Sequence, residues 1–390
     1  MTNVLVLGGG FGGLAAATTL RSLLPSDATI RVVSRDAEFF MGFAKLWDLA
    51  GIRPLAGGTR PLSRLARRGI DVTIGSIATL DAADRRVSME DGTTLAGDGM
   101  VVALGAGPLP AHAAMLGESR AAHDIYDAAN MTAISAALDR IESGRVVLSI
   151  LGGPFKCPPA PYEAALIVAE RLAARGVRDD VEVVVTTPQP ISLPAAGVDA
   201  SAYVASHLGE AGIALLTNTK VTALSDAGGA SGGTAALDGP GGTTDLAYDL
   251  FLGVPATAPP PVLAGSGLVA DNGWIMPDRH TLATPAERVY AVGDCTAIPN
   301  AAGQLPKAGV FAAGEGTVAA TNLAADLGYG EPTTFDGHGY CFLELPGRRV
   351  AFVEGDFYAD PLDVTLTDAD EEQFQRKVAY EAERLEEWLP

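Results

Sequence analysis

The chain has 390 residues, 48% of them hydrophobic and 19% charged, which is the composition of a soluble globular protein with room for two or three domains. Its 27 basic residues against 47 acidic ones give a net charge of −20, which repels phosphate backbones and anionic lipid alike and argues against nucleic acid as a partner. The first apolar strand, Val4–Leu7, reaches Gly8 too early for a secretory signal to precede it, and no apolar run approaches the ~18 residues that cross a bilayer. A cytoplasmic protein is expected, with peripheral contact at the inner face of the cell membrane as its membrane option. In a reducing compartment the three cysteines, Cys157, Cys295 and Cys341, do not make a structural framework, and any disulfide among them is expected to be transient and catalytic.

Taken in chain order, Val4–Leu7 runs into Gly8-Gly9-Gly10-Phe11-Gly12-Gly13, an apolar-periodic helix from about Leu14 to Leu23, and a second strand, Thr29–Ser34. This βαβ context makes Gly8, Gly10 and Gly13, with Phe11 and Gly12 between them, a dinucleotide fingerprint whose helix amides hold a pyrophosphate. The acidic residue expected after the second strand is replaced by Ser34-Arg35-Asp36, which leaves Ser34, with Arg35 beside it, to meet a ribose. The basic run Arg60–Arg68 reads as a solvated helix face, with a membrane-facing basic helix as the alternative. Short strands over Asp71–Ile77 and Arg86–Met89 follow, with Asp91-Gly92 as a hairpin turn. Asp98–Gly107 reads as a buried strand that stops at glycines, with Ala103 and Gly105 near the same cofactor.

A second αβ unit opens with a helix near Met131–Ile141 and a strand, Val146–Leu151. The next residues, Gly152-Gly153-Pro154-Phe155-Lys156-Cys157, stand where a second fingerprint belongs, but Pro154 and Cys157 replace its second and third glycines. A proline ring and a thiol obstruct the close approach of a pyrophosphate, which argues against nicotinamide binding. A helix, Tyr162–Arg175, is stopped at Gly176 and followed by a strand, Val181–Thr186; Ala227–Gly242 reads as a surface hairpin or loop. The chain then returns to the first domain through Asp249–Val254 and Arg288–Asp294. A strand ending in Gly293-Asp294 puts a carboxylate where it can accept a hydrogen bond from a ribityl hydroxyl. Pro306-Lys307-Ala308-Gly309-Val310 starts a helix whose N-terminus, with Lys307 nearby, favours the negative charge that a reduced flavin carries. Three separated segments that agree on one cofactor point to FAD. From about Glu331 come two aromatic-rich strands and an amphipathic helix with Phe374, Val378, Leu385, Trp388 and Leu389 near one face, a candidate for packing on the core, on a second subunit in a homodimer, or at a membrane edge. The fold class is α/β: two Rossmann-like dinucleotide-binding domains, FAD-binding over residues 1–110 and 246–330 and NAD-like over 111–245, with a small C-terminal α+β segment over 331–390.

With these residues in view, the chain resembles the flavoprotein sulfide dehydrogenases and sulfide:quinone oxidoreductases, within the two-dinucleotide-domain disulfide reductase fold. The resemblance covers nearly the whole chain and rests on the glycine fingerprint, the run from Lys156 to Glu163, Val292-Gly293-Asp294, Pro306–Val310 and Gly339-Tyr340-Cys341-Phe342. The run Lys156-Cys157-Pro158-Pro159-Ala160-Pro161-Tyr162-Glu163 is its most specific part and is similar to that of the flavin subunit of flavocytochrome c sulfide dehydrogenase. What the resemblance implies is a redox pair, Cys157 and Cys341, beside the flavin ring, and an acid or base role towards sulfide for Glu163. A first-turn glutamate that only complements the helix dipole is the other reading of Glu163. Lys156 and the helix N-terminus both favour a thiolate at Cys157. Cys295 reads as a small buried hydrophobe and His338 as an exposed loop histidine; the five histidines show no ligand spacing, so no metal is inferred.

Three departures matter. Phe39–Trp47 has no cysteine, so covalent flavin attachment is not expected. The expected lack of a secretory signal weakens a periplasmic cytochrome-linked version, and the third cysteine of many quinone-linked relatives has no counterpart. The expected function is FAD-dependent oxidation of sulfide or a related small sulfur compound through Cys157 and Cys341, with electrons passed to FAD and then to quinone. Phe342, Phe352, Phe357 and Tyr358 are candidate walls for that acceptor. The alternatives are an NAD(P)H-dependent disulfide or quinone reductase and a non-catalytic flavin-binding redox sensor.

Overall fold

A five-stranded parallel sheet in the order Val289–Ala291, Gly99–Val102, Asn3–Leu7, Thr29–Ser34, Asp71–Ile74 carries the first Rossmann unit. Helices cover it, so its inner strands are buried on both faces and read as apolar runs rather than alternations. The computed structural model describes residues 2–227 and 232–390. Leu7 stands level with Val33 on one side and Val102 on the other, and Val102 with Ala291. This shared register brings Gly8, Ser34, Ala103 and Gly293 out at one edge of the sheet, the carboxyl edge where such folds bind ligands.

Two helices, Phe11–Leu23 and Gly309–Asp326, lie together against this sheet. Their meeting faces are built from glycine and alanine for a steric reason. A Cβ on Gly316 would sit 2.3 Å from the Gly12 carbonyl oxygen, and one on Gly12 would sit 3.0 Å from the Ala312 oxygen. Further along, Leu323 fills the space beside Gly99.

The second sheet is also five-stranded and parallel, in the order Ala122–Asp124, Leu250–Val254, Gly144–Ile150, Val181–Thr186, Ala214–Leu216. The helix Ala160–Ala174 packs beside it, almost wholly buried along its first three turns. The C-terminal segment forms a three-stranded antiparallel sheet, His338–Leu345, Arg349–Asp356 and Asp363–Leu366, on which the helix Glu371–Trp388 rests. Trp388 is buried against Phe11 and Phe39, with ring centroids 5.9 and 5.7 Å away, so this segment shares its core with the first domain.

Several elements differ from the sequence reading. The expected strand Asp71–Ile77 breaks at Gly75-Ser76: its first part joins the parallel sheet, and Ile77–Asp81 starts a separate antiparallel meander. The basic run is a 3-10 helix, Leu62–Arg68, that buries Leu62 and Leu65 and leaves Arg67 and Arg68 exposed, as a solvated helix face would. Arg64, Arg67 and Arg68 donate to the carbonyls of Leu389, Pro390 and Glu386, so these cations cap the end of the C-terminal helix. The expected hairpin over 227–242 belongs to a meander of Lys220–Asp226, Gly233–Gly239 and Gly242–Tyr248; its residues 228–231 lie outside the described residues. On the C-terminal helix Val378 is exposed, because the buried face runs through Phe374, Lys377, Tyr380, Glu381, Leu385 and Trp388. Among the described residues no helix is long and apolar enough to cross a membrane.

Candidate active site

The glycine turn after the first strand is shaped by close approach. Gly8 has φ +115°, and a Cβ there would lie 2.1 Å from the Ala103 oxygen; one on Gly13 would lie 1.9 Å from the Gly8 oxygen. Gly10 is different: a Cβ would meet nothing within 4 Å. Gly10 caps the helix with no side-chain hydrogen bond, so the first helical amides face open space. Phe11 lies against Gly309, whose Cβ would come within 2.6 Å of its ring.

Around this turn, Ser34 Oγ donates to the Asp36 carbonyl at 2.8 Å, and the exposed Arg35 pairs with Asp36 at 3.1 Å. Gly105, at φ +66°, turns the chain away after the third strand of the site. Gly293, at φ +73°, donates its N–H to Glu315 Oε2 at 2.6 Å. Burial raises the pKa of Asp294, against the pull of Lys156 and Lys307. Lys307 Nζ donates to the Asp294 and Thr296 carbonyls at 2.8 and 2.7 Å and lies 3.8 Å from the centroid of the Trp274 ring. Its ammonium is thus committed to the Gly293–Thr296 turn. Ala308, like Gly10, caps its helix without a side-chain hydrogen bond. Two uncapped helix N-termini, a void beside Gly10 and a partly buried carboxylate under the influence of Lys156 and Lys307 fit an FAD. Gly8, Gly10 and Phe11 to Gly13 would hold its pyrophosphate, and Asp294 and the Lys307–Gly309 turn its ribityl and flavin end.

The sulfur site adjoins this edge. Lys156 pairs with Lys307 in an isolated parallel bridge, and the Cys157 N–H donates to the Lys307 carbonyl at 2.7 Å. Cys157 has φ +47°, a left-handed conformation that costs a residue with a Cβ about 1 kcal/mol or more. The turn is pinned from its other side by Tyr126, whose hydroxyl donates to the Lys156 carbonyl at 2.5 Å. Cys341 enters from the antiparallel sheet, level with Val353. Cys341 lies within the influence of Cys157: the neighbouring Cys157 side chain, then burial, then the charge of Glu163, hold its pKa well above the ordinary thiol range, and Lys377 acts in the opposite direction.

Behind Cys341 lies a buried charge cluster of which the sequence reading named Glu163 but missed Glu344 and Lys377. Glu163 is 1% exposed; its Oε1 accepts the Glu344 N–H at 2.7 Å and faces Lys377 Nζ at 3.4 Å. Glu344 Oε2 accepts from Lys377 Nζ at 2.7 Å and from Trp47 Nε1 at 3.0 Å. Burial raises the Glu163 pKa, while Lys377 and the Glu344 amide lower it. Burial works to lower that of Lys377, but Glu163 and Glu344 raise it well above its ordinary value. Two carboxyls thus share one ammonium, and Glu163 is more than a dipole-complementing first-turn glutamate.

Other expected residues fall elsewhere. Cys295 is fully buried, with Sγ directed at the Val292 carbonyl 3.3 Å away, and burial pushes its pKa up to about 12. His338 begins a strand rather than a loop and faces Glu354 at 3.4 Å. The four aromatic candidates do not form one wall: Phe342 and Phe352 pack together at 5.5 Å, Phe357 packs on Phe311, and Tyr358 packs on His280 and Phe335. Glu315, also missed, is pushed up to about 7 by burial. Its signal was visible as the lone carboxylate in the small-residue run Gly309–Ala320. Among the described residues no group of three His, Cys, Asp or Glu side chains is placed to hold a metal ion.

The pyridine nucleotide-disulphide oxidoreductase family matches residues 2–316. Mitochondrial sulfide:quinone oxidoreductase of Mus musculus is 23% identical over 378 residues, 95% of this chain and 81% of that protein. The sulfide-quinone reductase of Aquifex aeolicus (strain VF5) is 27% identical over 315 residues, 76% of this chain and 69% of that protein. The X-ray structure of the sulfide:quinone oxidoreductase from Aquifex aeolicus superposes with a TM-score of 0.85 at 22% identity, covering 98% of this chain and 90% of that one. The NAD-dependent persulfide reductase from A. fulgidus superposes with a TM-score of 0.69 at 22% identity, covering 90% and 64%.

Proposed function

Because the chain belongs to the pyridine nucleotide-disulphide oxidoreductase family and is an FAD-dependent oxidoreductase, we propose that it oxidises sulfide or a related small sulfur compound through Cys157 and Cys341, with quinone as the final acceptor. The observation that supports this reading is that Cys157 and Cys341, far apart in the chain, lie near enough for Cys157 to raise the Cys341 pKa, with the Cys157 N–H bonded to the Lys307 carbonyl in the turn that leads into Gly309. The relatives named for sulfide and quinone chemistry support it, since their similarity extends over most of the chain.

The residues divide the work as follows. In the disulfide form of the pair, hydrosulfide attacks one sulfur; the S–S bond breaks, a persulfide forms on the attacked cysteine, and the other leaves as a thiolate with the bonding electrons. Lys377 sits where its charge acts on both sulfurs, so it favours that thiolate. Glu163, buried beside Cys341 with a raised pKa, takes up or returns the proton of the persulfide. FAD, when bound, supplies the two-electron acceptor that links the sulfurs to quinone. The left-handed turn at Cys157, held by Lys307 and Tyr126, keeps the thiol in place through these exchanges.

Anaerobic titration tests this directly. Sulfide bleaches the flavin of the wild type, decyl-ubiquinone restores its colour, and Cys157→Ser and Cys341→Ser each slow the bleaching by roughly a thousandfold or more, the scale of losing a covalent catalyst. Equal bleaching rates in the two variants and the wild type would refute the role given to the pair.

A further inference from the structure

Four side chains from four elements meet in one buried cluster. Glu163 stands in the first turn of the helix Ala160–Ala174, Glu344 on the strand His338–Leu345, Lys377 on the helix Glu371–Trp388 and Trp47 on the helix Ala44–Leu49. The chain ties this cluster to both sulfurs, since Cys157 comes six residues before Glu163 and Cys341 three before Glu344. The side chains of Glu163, Glu344 and Lys377 are 1%, 3% and 1% exposed, so bulk water does not answer their charges. One ammonium faces two carboxyls. Fully ionised, the cluster holds an uncompensated negative charge out of water, and a proton on either carboxyl removes it. Distance decides which carboxyl takes that proton. Glu344 Oε2 accepts from Lys377 Nζ at 2.7 Å and from Trp47 Nε1 at 3.0 Å. Glu163 Oε1 stands 3.4 Å from the same ammonium, beyond the usual reach of ~3.2 Å for an N–H···O bond. Its close donor is the Glu344 amide at 2.7 Å, a neutral group.

We propose that Glu344 is a positioning residue: by taking Lys377 as its own ion partner, it leaves Glu163 free to hold and release a proton. The proposal rests on the sulfide reading above for the reaction that this proton serves, and on the geometry of the cluster for the assignment. Burial, the largest influence on Glu163, raises its pKa and the charge of Glu344 adds to the rise, while Lys377 and the Glu344 amide lower it. The other titratable groups that act on the cluster are the Cys157 and Cys341 thiols and the Tyr126 hydroxyl, none of them a cation that replaces Lys377. The next cation, Arg53, lies over the Trp47 ring at 5.1 Å and is paired with Glu381 at 2.7 Å. Without the charge of Glu344, Lys377 has one carboxyl left to pair with, and Glu163 becomes a fixed carboxylate. Trp47 serves the arrangement from the far side, since its N–H sits on the oxygen that also holds Lys377 and so orients the Glu344 carboxylate towards the ammonium.

Infrared difference spectra of the oxidised, FAD-loaded protein across pH test this without turnover. A protonated carboxyl has a carbonyl stretch that a carboxylate lacks, and Glu163→Gln identifies which band belongs to Glu163. In the wild type that band is expected to persist above pH 4.5, the ordinary value for a glutamate, a readout that needs no variant at Glu344 to fold. Glu344→Gln keeps an acceptor for Trp47 and removes the charge, so the band should vanish about one pH unit or more lower. Glu344→Asp keeps the charge and should return the midpoint towards that of the wild type, which a merely structural role would not do. The inflection in the pH profile of flavin bleaching by sulfide should move down with the band in Glu344→Gln. A wild-type band that titrates at or below pH 4.5, a midpoint that Glu344→Gln leaves in place, or a Glu344→Asp that behaves as Glu344→Gln overturns the proposal. A midpoint that moves in a protein that sulfide never bleaches supports the positioning role and overturns the sulfide reading instead.

Discussion

Glu315 carries the cost of ionising a carboxyl inside this protein. Burial is the main cause of its rise from 4.5 to about 7; the Gly293 amide opposes it, Asp294 adds to it and Lys307 subtracts. In the unfolded chain the same group ionises at its ordinary value, so between about pH 4.5 and 7 the unfolded state releases a proton that the folded state keeps. The stability contributed is therefore fully present below that window and is lost as pH rises through it, by about 3 kcal/mol. Glu315→Gln keeps an acceptor for the Gly293 amide and removes the ionisation. With FAD removed, the difference in denaturant-unfolding free energy between variant and wild type should shift in favour of the variant by about that amount between pH 5 and 7.5. A difference that stays constant with pH would mean that Glu315 titrates as a solvent-exposed glutamate does.

At the scale of elements, two glycines on the packed helix pair separate folding from cofactor binding. Gly316→Ala puts a Cβ 2.3 Å from the Gly12 oxygen, forcing apart two helices in near-backbone contact. The clash outweighs the gain in helix propensity and costs roughly 1–3 kcal/mol, readable as a lower thermal midpoint of the FAD-free protein. Gly10→Val adds side-chain atoms to open space, so that midpoint should hold. The same atoms would fill the pyrophosphate cradle, so bound FAD, measured as flavin absorbance per protein, should fall at least tenfold. If Gly10→Val retains its flavin, the cradle has been misplaced. This contrast also marks what the sequence made legible. The first βαβ unit was readable because parallel strands buried on both faces leave apolar runs, and because glycines must stand where backbones touch. Cys157 was readable from its proline-rich surroundings. Glu344 and Trp47 were not, since each gains its role from a partner in another element. Lys377 gave one overlooked sign: it falls three residues after Phe374 and three before Tyr380, a charge on the apolar stripe of the C-terminal helix.

For the whole molecule, the two Rossmann units are alike in sheet topology and unlike at the turn where a dinucleotide would dock, and that difference argues against electron entry from a nicotinamide dinucleotide at the second unit. The first unit presents uncapped helix amides at Gly10 and room beside them. In the second, Pro158, Pro159 and Pro161 have no N–H to offer, the Cys157 N–H is bonded to the Lys307 carbonyl at 2.7 Å, and the Ala160 N–H is bonded to the Cys157 carbonyl at 2.9 Å. The ring of His112 fills the space beside Gly152, where a Cβ would lie 3.0 Å from it. An anion at this helix start forgoes at least two charge-assisted hydrogen bonds of about 1.5–3 kcal/mol each, so a nicotinamide dinucleotide should engage at least a hundredfold more weakly than at an open helix N-terminus. Under anaerobic mixing, NADH and NADPH at millimolar concentration are therefore expected to bleach the flavin at least a hundredfold more slowly than sulfide does. Bleaching by NADH as fast as by sulfide would move the electron entry to the second unit and turn the sulfur pair from donor to acceptor, because a dithiol beside a flavin that is reduced from its other side runs the same exchange in reverse.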